Sequence, residues 1–422
     1  MTDTDKVITS NFGLYARQNY FGLKPDLSFI DQTSYGLIPK YVTHKINDLA
    51  NEILENPHKN ITNMKTATFH VMEQISKMLN FDPEDAMFMN SCSESLQIVL
   101  NANKLEEQDR ILIMSDCGTK IKNIIRSNCD LIGCTLDTLN TPIPMTKISE
   151  LLNILDETLI KHKYKLIVFE HVSSTTGILY PIEMVVKVCK RYGVIAVIYG
   201  CYAVGHVPTN LRSIDADFFI SMHILSSACF YRWCFCSQHV SMLWVSKPYQ
   251  QNLDPLIKCY EQAANEKNIM KRFSEHKKWD ISQIFSVSLG LEFIDLILIT
   301  EYNSKLLRWA VNHLQNTWGT RSLKLTRTVK SPFMSFVRLP LCVERFFISE
   351  FGHREAPEKF VKMVLDNYDT AICARIIDNS FYVGITAHIY NTKQDYTNLA
   401  KNLIELDQQL RVTTYIPAQQ TL

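Results

Sequence analysis

The sequence predicts an α/β fold in which helices cover both faces of a mainly parallel sheet. Two apolar runs, residues 165–170 and 194–199, flank a segment with helical periodicity around residues 182–191. A strand, a helix and a strand within about thirty residues make a βαβ unit, whose two strands pair in parallel. The chain of 422 residues is also long enough for a large core and a second domain.

The spacing of apolar residues places further elements along the chain in order. Before the βαβ unit it predicts helices and short strands at residues 42–54, 63–79, 86–89, 95–103, 110–114, 135–139 and 147–161. After the unit it predicts a long helix, two alternating runs with a helix between them and a closing helix, at residues 282–300, 323–341, 355–367, 371–389 and 392–410. These later elements suit a smaller α+β domain.

The composition is that of an ordinary globular protein, 46% hydrophobic and 21% charged with a net charge of +1. Such a balance predicts neither nucleic acid nor an anionic membrane surface as a partner. The most apolar window, residues 284–300, contains Glu292 and Asp295. These charges favour a buried helix over a membrane span.

Twelve cysteines without a regular spacing, after a polar N-terminal segment, predict a reduced protein inside the cell. We expect the cytoplasm, with the nucleus left open. One tight group contains Cys229, Cys234, Cys236 and His239. It lacks the Cys-x-x-Cys spacing typical of zinc and lies among apolar residues, so we expect buried thiols and no metal.

Four segments share the order and character of a known family. They read Phe-Ile-Asp-Gln-Thr-Ser-Tyr-Gly at 29–36, Tyr-Gly-Cys-Tyr-Ala-Val-Gly-His at 199–206, Tyr-Arg-Trp at 231–233 and Met-Leu-Trp-Val at 242–245. Together they resemble the class V aminotransferase-like enzymes that use pyridoxal phosphate (PLP), in particular the isopenicillin N epimerase-like branch. The resemblance implies the PLP-dependent transferase fold type I, with a seven-stranded type of sheet. It also implies an N-terminal arm, a large domain, and a connecting helix with a small α+β domain, at residues 1–40, 41–281 and 282–422.

The resemblance places three substitutions where the family binds its cofactor. Tyr199 stands in the place of the Asp that faces the pyridine nitrogen, and Tyr202 in that of a His. Arg232 stands in the place of the lysine that holds PLP as an imine. A guanidinium remains protonated and cannot form that bond. A tyrosine, neutral near pH 7, cannot keep the pyridine nitrogen protonated.

The position of the missing lysine depends on the alignment register. Trp233 and Trp244 are eleven residues apart, as the corresponding aromatic residues are in the family, which places Arg232 on the lysine position. A later insertion would move that position near Ile224 or Leu225. Neither register yields a lysine.

The turn that would hold the cofactor phosphate has also changed. The family has Asn-Ala-Thr-Thr-Gly here, whereas this chain has Ser91, Cys92, Ser93 and Glu94 after an Asn. Ser91 and Glu94 have the spacing of a capping box, which favours a self-capped helix over a phosphate cradle. Gly384 stands where the family carries an Arg for the substrate carboxylate.

These changes predict a pseudoenzyme that binds no cofactor, its ancestral PLP included, and that acts as a homodimer through an unknown protein partner. The vestigial cleft would contain Tyr199, Tyr202, His206 and Arg232. Three alternatives stay open: an active lyase, epimerase or desulfurase-like enzyme, a PLP-independent activity in the inherited cleft that also uses residues 173–176, and PLP as a non-covalent ligand.

Overall fold

The computed structural model describes residues 11–221, 233–237, 240–257, 266–274, 281–293 and 296–414, with the backbone alone at 59–65, 274, 281, 296–297 and 412–414. The chain divides into two compact units. The larger comprises residues 35–294 and 326–329, and the smaller comprises residues 1–34, 295–325 and 330–422. The predicted domain boundaries after residues 40 and 281 stay a prediction.

The helices and strands follow the predicted order. The helices are α1 (Leu14–Asn19), α2 (Lys40–Glu55), α3 (Pro57–Leu79), α4 (Cys92–Ala102), α5 (Thr119–Ile132), α6 (Ile148–Lys161), α7 (Ile182–Arg191), α8 (Leu211–Ile214), α9 (Ile269–Ser274), α10 (Ile281–Phe293), α11 (Leu296–Trp318), α12 (Leu341–Tyr368) and α13 (Lys393–Thr414). The strands are β1 (Ser28–Phe29), β2 (Ala86–Met89), β3 (Arg110–Met114), β4 (Thr135–Leu139), β5 (Leu166–Glu170), β6 (Ile195–Tyr199), β7 (Phe218–Ser221), β8 (Ser241–Val245), β9 (Met334–Arg338), β10 (Thr370–Ala371), β11 (Cys373–Ile377) and β12 (Ser380–Thr386).

A seven-stranded sheet forms the centre of the larger unit, in the order β2-β8-β7-β6-β5-β3-β4. The pairs from β4 through β3, β5 and β6 to β7 are all parallel. Strand β8 pairs antiparallel with both β7 and β2. The mainly parallel α/β fold predicted from the sequence is therefore confirmed.

The β5–α7–β6 unit brings the candidate site together. Every residue of β5 is buried, because the strand lies inside the sheet with helices on both faces. Helix α7 buries one apolar stripe, formed by Ile182, Val185, Val186, Val188 and Cys189. The parallel register pairs Glu170 with Tyr199. The last residues of β5 and β6 consequently lie side by side at the carboxyl edge of the sheet.

The smaller unit contains a three-stranded antiparallel sheet, in the order β11-β12-β9. On β12, a Cβ at Gly384 would lie 2.3 Å from the Cys373 sulfur, so close packing requires a glycine there. Helix α12 begins at Leu341, fourteen residues before the predicted helix at 355–367, and its two halves meet at Gly352 with φ of 67°. The predicted small α+β domain is confirmed.

The apolar window at residues 284–300 spans parts of two helices, α10 and α11, where the sequence predicted one. Ile284, Val287 and Leu289 are buried in α10. Among the described residues, no single helix has the length and apolar composition needed to cross a membrane, although Ser282–Phe293 and Leu298–Trp318 meet that test jointly.

Candidate functional site

The carboxyl edge of the parallel sheet carries the candidate site, because loops at this edge bind ligands in open α/β folds. Strands β3, β5 and β6 end there with Met114, Glu170 and Tyr199, and each is followed by polar residues. Helix α4 begins close by, since Cys92 at its first turn touches Cys201, two residues beyond β6.

Tyr199 lies in a cluster with two thiols. Its side chain is buried and hydrogen-bonded to Cys92 and Cys201, whose sulfurs are 2.9 Å apart. Burial, followed by the neighbouring Cys201 and Cys92, raises the pKa of Tyr199 well above its usual value. The hydroxyl is therefore neutral at pH 7. A Cβ at Gly200 would come within 2.0 Å of the Phe219 ring, so only glycine fits the backbone beside this cluster.

The turn before α4 forms the predicted capping box. The Glu94 amide donates to the Ser91 hydroxyl over 3.0 Å, and the Asn90 amide donates to the Glu94 carboxylate over 3.2 Å. Cys92 is buried, whereas Ser93 is partly exposed. The carboxylate consequently lies at the positive end of the helix dipole, where the family would bind a phosphate.

Tyr202 and His206 are held in the interior beside Trp233. The ring of His206 lies 4.5 Å from that of Trp233, and its Nδ1 is 2.8 Å from the Tyr202 carbonyl oxygen, to which it donates. Burial lowers the pKa of His206 to about 3. The imidazole is therefore neutral at physiological pH and supplies no positive charge for an anionic substrate.

His171, the residue after β5, is a second buried imidazole. Burial lowers its pKa to about 3. Its Nδ1 is buried and has no hydrogen-bond partner among the residues that the structure describes. An unsatisfied buried nitrogen of this kind can form a hydrogen bond with a ligand group that reaches it.

A pair of buried carboxyl groups, Asp116 and Glu170, was missed by the sequence analysis. Glu170 accepts a hydrogen bond from the Gly118 amide over 3.1 Å and is also hydrogen-bonded to Ser174. Burial, and then repulsion from Asp116, raises the pKa of Glu170 to about 8. This carboxyl group therefore holds a proton at pH 7, unlike an ordinary glutamate.

Hydroxyl groups surround the neighbouring carboxylate of Asp116. Thr141, Thr176 and Tyr180 each donate to it over 2.7 Å. Ser173 donates to the Asp116 backbone carbonyl over 3.2 Å. The loop at residues 173–177, which the sequence left open between a pocket wall and an ordinary turn, thus fixes this carboxylate in place.

A sequence signal for this pair existed. Glu170 ends an apolar run, and Asp116 follows another strand by two residues, which places both at the same edge of a parallel sheet. The sequence analysis predicts Glu170 only as the last residue of a strand. The rise in its pKa comes first from burial and then from Asp116, which lies more than fifty residues away in the sequence, so periodicity alone does not reveal it.

Several predicted residues lie outside the described part of the chain. They are Arg232, the alternative lysine positions at Ile224 and Leu225, and Cys229 and His239 of the cysteine group. Within the described part, Cys234 and Cys236 are buried, and burial raises the pKa of both thiols. No group of three metal-ligating side chains occurs among the described residues. The absence of a metal stays a prediction.

Comparison with known proteins identifies relatives over most of the chain. The profile of the family described as "Aminotransferase class-V" matches residues 28–337. A hercynylcysteine sulfoxide lyase from Schizosaccharomyces pombe is 23% identical over 400 residues, which are 91% of this chain and 95% of the lyase. An L-cysteine desulfhydrase from Arabidopsis thaliana is 21% identical over 52% of this chain and 50% of its own length.

Solved structures confirm the fold. An apo cysteine desulfurase from Thermococcus onnurineus NA1 has a TM-score of 0.74 at 15% identity, covering 93% of this chain and 98% of its own. A lysine-to-alanine mutant of C-DES, with glycine covalently linked to the PLP cofactor, has a TM-score of 0.74 at 14% identity, covering 92% and 98%. At these identities the likeness shows a shared fold.

These findings correct the expected function. The chain was expected to be a pseudoenzyme acting through protein contacts, because Arg232, Tyr199, Glu94 and Gly384 stand where the resemblance puts groups that bind the cofactor and substrate. That expectation is contradicted, since the relatives are named as lyases and desulfhydrases, which supports the active-enzyme alternative. The expectation of no cofactor is contradicted as well, because the matching family uses PLP and a structural neighbour carries it.

The residues present do not fit PLP held as it is in the family. No lysine occurs from residue 222 to 246, so the segment aligned with the imine-forming lysine contains none. Tyr199, buried against two thiols, is no acid partner for a pyridine nitrogen. Glu94 places a carboxylate at the start of α4, where the family resemblance puts the phosphate. PLP therefore cannot be attached as a lysine imine within residues 222–246.

Proposed function

Because the chain belongs to the class-V aminotransferase family, we propose that it is an active enzyme that cleaves a carbon–sulfur bond in cysteine or an S-substituted cysteine. The observation that carries the proposal is the match to a hercynylcysteine sulfoxide lyase over 91% of the chain and 95% of the lyase. A match of this extent includes both units of the fold, rather than one shared motif.

The reaction proposed is an elimination. The bond between Cβ and sulfur breaks, the Cα–H proton is lost, and the sulfur leaves as hydrogen sulfide from cysteine, as a thiol from an S-substituted cysteine, or as a sulfenic acid from a sulfoxide. The remaining aminoacrylate takes up water and yields pyruvate and ammonia. Two proton transfers are thus required, one from Cα and one to the departing sulfur.

Glu170 is the group in the candidate site that best meets the second requirement. With a pKa of about 8 it holds a transferable proton at neutral pH. Burial is the main cause of this raised pKa, and Asp116 adds to it, because two neighbouring carboxylates do not both ionise readily. General acid catalysis of this kind contributes on the order of 10²-fold or more to a rate.

The cofactor proposed is PLP, as in the family, held by non-covalent contacts. This assignment agrees with the absence of lysine from residues 222–246. We also propose that the chain is cytoplasmic. We propose that it forms a homodimer, because class V enzymes commonly pair through their large domains. Light scattering should then give twice the chain mass of 48.7 kDa, and a mass near that of one chain would contradict the pairing.

The experiment is an assay of the purified chain with added PLP against cysteine, cystine and S-alkylcysteine sulfoxides. We expect pyruvate to form with at least one of them. Heat-denatured protein with PLP controls for catalysis by the free cofactor. Glu170→Gln should lower the rate by about 10²-fold, whereas Glu157→Gln, which changes an exposed carboxylate on α6, should leave it unchanged. Alanine in place of pyruvate would contradict elimination.

A further inference from the structure

The contact between Cys92 and Cys201 joins two elements of the candidate site. Cys92 is the first residue of α4 and Cys201 lies just beyond β6, 109 residues further along the chain. Both thiols are buried. Their sulfurs are 2.9 Å apart, about 0.9 Å more than the S–S bond of about 2.05 Å. Only a small approach separates the two thiols from a covalent link.

The backbone holds both residues in place. Ser91 caps α4 through the Glu94 amide, which fixes the first turn that carries Cys92. On the other side, the Gly200 amide donates to the Ile220 carbonyl over 2.8 Å. The contact therefore joins two ordered segments, and its formation does not require a loop to be ordered first.

We propose that Cys92 and Cys201 are a redox modification site and form a reversible disulfide when a hydroperoxide reaches the candidate site. One sulfur attacks a peroxide oxygen, the O–O bond breaks, and a sulfenic acid and one molecule of water or alcohol result. The other sulfur then attacks the first, the S–O bond breaks, and water leaves. The two thiols together lose two electrons and two protons, which the hydroperoxide takes up.

Tyr199 assists this chemistry by its position. Its hydroxyl is hydrogen-bonded to both sulfurs. A hydroxyl at this position can donate a hydrogen bond to the sulfur that attacks the peroxide. A small neutral oxidant such as hydrogen peroxide suits the site better than a large disulfide, because both thiols are buried.

The disulfide would link the start of α4 to the turn after β6. It would close a long loop of the unfolded chain and thereby reduce the entropy gained on unfolding. The oxidised protein should therefore unfold at a higher urea concentration than the reduced protein. This inference does not depend on the proposed carbon–sulfur lyase activity.

The test uses the intact native chain and hydrogen peroxide. After treatment, the protein is denatured in acid, alkylated, digested and analysed by mass spectrometry. We expect a linked peptide pair containing Cys92 and Cys201, lighter by two hydrogens than the separate peptides and released by dithiothreitol. Alkylation of both thiols, or a sulfinic acid on either without the link, would overturn the proposal.

Single variants provide the controls. Cys92→Ser and Cys201→Ser should each abolish the linked peptide pair and the rise in the urea midpoint. Either variant alone tests the proposal if the other does not fold. Cys189→Ser removes a buried thiol on α7 that lies outside the cluster and should retain both effects. A second close pair, Cys129 and Cys134, is the internal competitor. A link there, with Cys92 and Cys201 still alkylated, would contradict the proposal.

Discussion

Replacing Glu170 by Gln should make the protein less sensitive to alkaline pH. The carboxyl group is buried beside Asp116, and these surroundings raise its pKa from 4.5 to about 8. Gln is similar in size, keeps an oxygen that can accept from the Gly118 amide, and never ionises. The variant therefore removes the titrating group while preserving most of the packing.

The sign and size of the change in the free energy of unfolding follow from proton linkage. Between pH 4.5 and about 8, the folded chain retains a proton at Glu170 that the unfolded chain has released. The free energy of unfolding consequently falls as the pH rises through this window, by about 1.4 kcal/mol per pH unit. From pH 5 to pH 9 the loss attributable to Glu170 is about 4 kcal/mol. Below pH 4.5 the contribution is fully present.

The assay is urea unfolding followed by circular dichroism at pH 5 and pH 9. Groups remote from Glu170 titrate equally in the wild-type protein and the variant, so their effects cancel in the difference between the two. We expect Glu170→Gln to lose less stability than the wild type over this range, whereas Glu157→Gln, on an exposed face of α6, should follow the wild type. An equal loss in Glu170→Gln and the wild type would refute the assigned proton.

Two further predictions concern the neighbouring backbone and the start of α4. Gly200→Ala should lower the free energy of unfolding by about 1–3 kcal/mol or more, because its Cβ would lie 2.0 Å from the Phe219 ring; an unchanged melting temperature would contradict this packing. Glu94→Gln should tighten PLP binding, measured by absorbance titration, because it removes a carboxylate from the N-terminus of α4, and weaker or equal binding would show that the phosphate lies elsewhere.

The strands and helices of the larger unit could be predicted because burial imposes a regular apolar pattern. Strand β5 and helix α7 show this directly, since an inner strand is apolar throughout and a covering helix is apolar on one side. The capping box at Ser91 and Glu94 was equally accessible, because its four residues act on each other locally.

Contacts between residues that are far apart in the sequence cannot be predicted from apolar patterns or local capping. The raised pKa of Glu170 depends on burial and on Asp116, and the thiol contact joins Cys92 to Cys201 across 109 residues. Helix α12 begins at Leu341, whereas the sequence predicted a helix only over residues 355–367. In the structure Gly352 takes φ of 67° at a break, and Pro357 lies inside the second helical half.

The functional inference failed at a different point. Substitutions such as Tyr199 in place of an acid predict a loss of catalysis. They indicate only that the way in which the family binds PLP has changed. The relatives named as a lyase and a desulfhydrase indicate catalytic activity, which the sequence of this chain alone did not indicate. The buried acid at Glu170 is the group that the prediction left out.

The most direct test of the central claim is the number of turnovers per chain. Purified protein with PLP is incubated with cysteine, and pyruvate, ammonia and sulfide are quantified over time against heat-denatured protein with PLP. The proposed lyase predicts equal amounts of the three products, exceeding the concentration of protein many times over. Product no greater than in the denatured control, for cysteine and for its S-substituted derivatives alike, would contradict the claim that this chain is an active carbon–sulfur lyase.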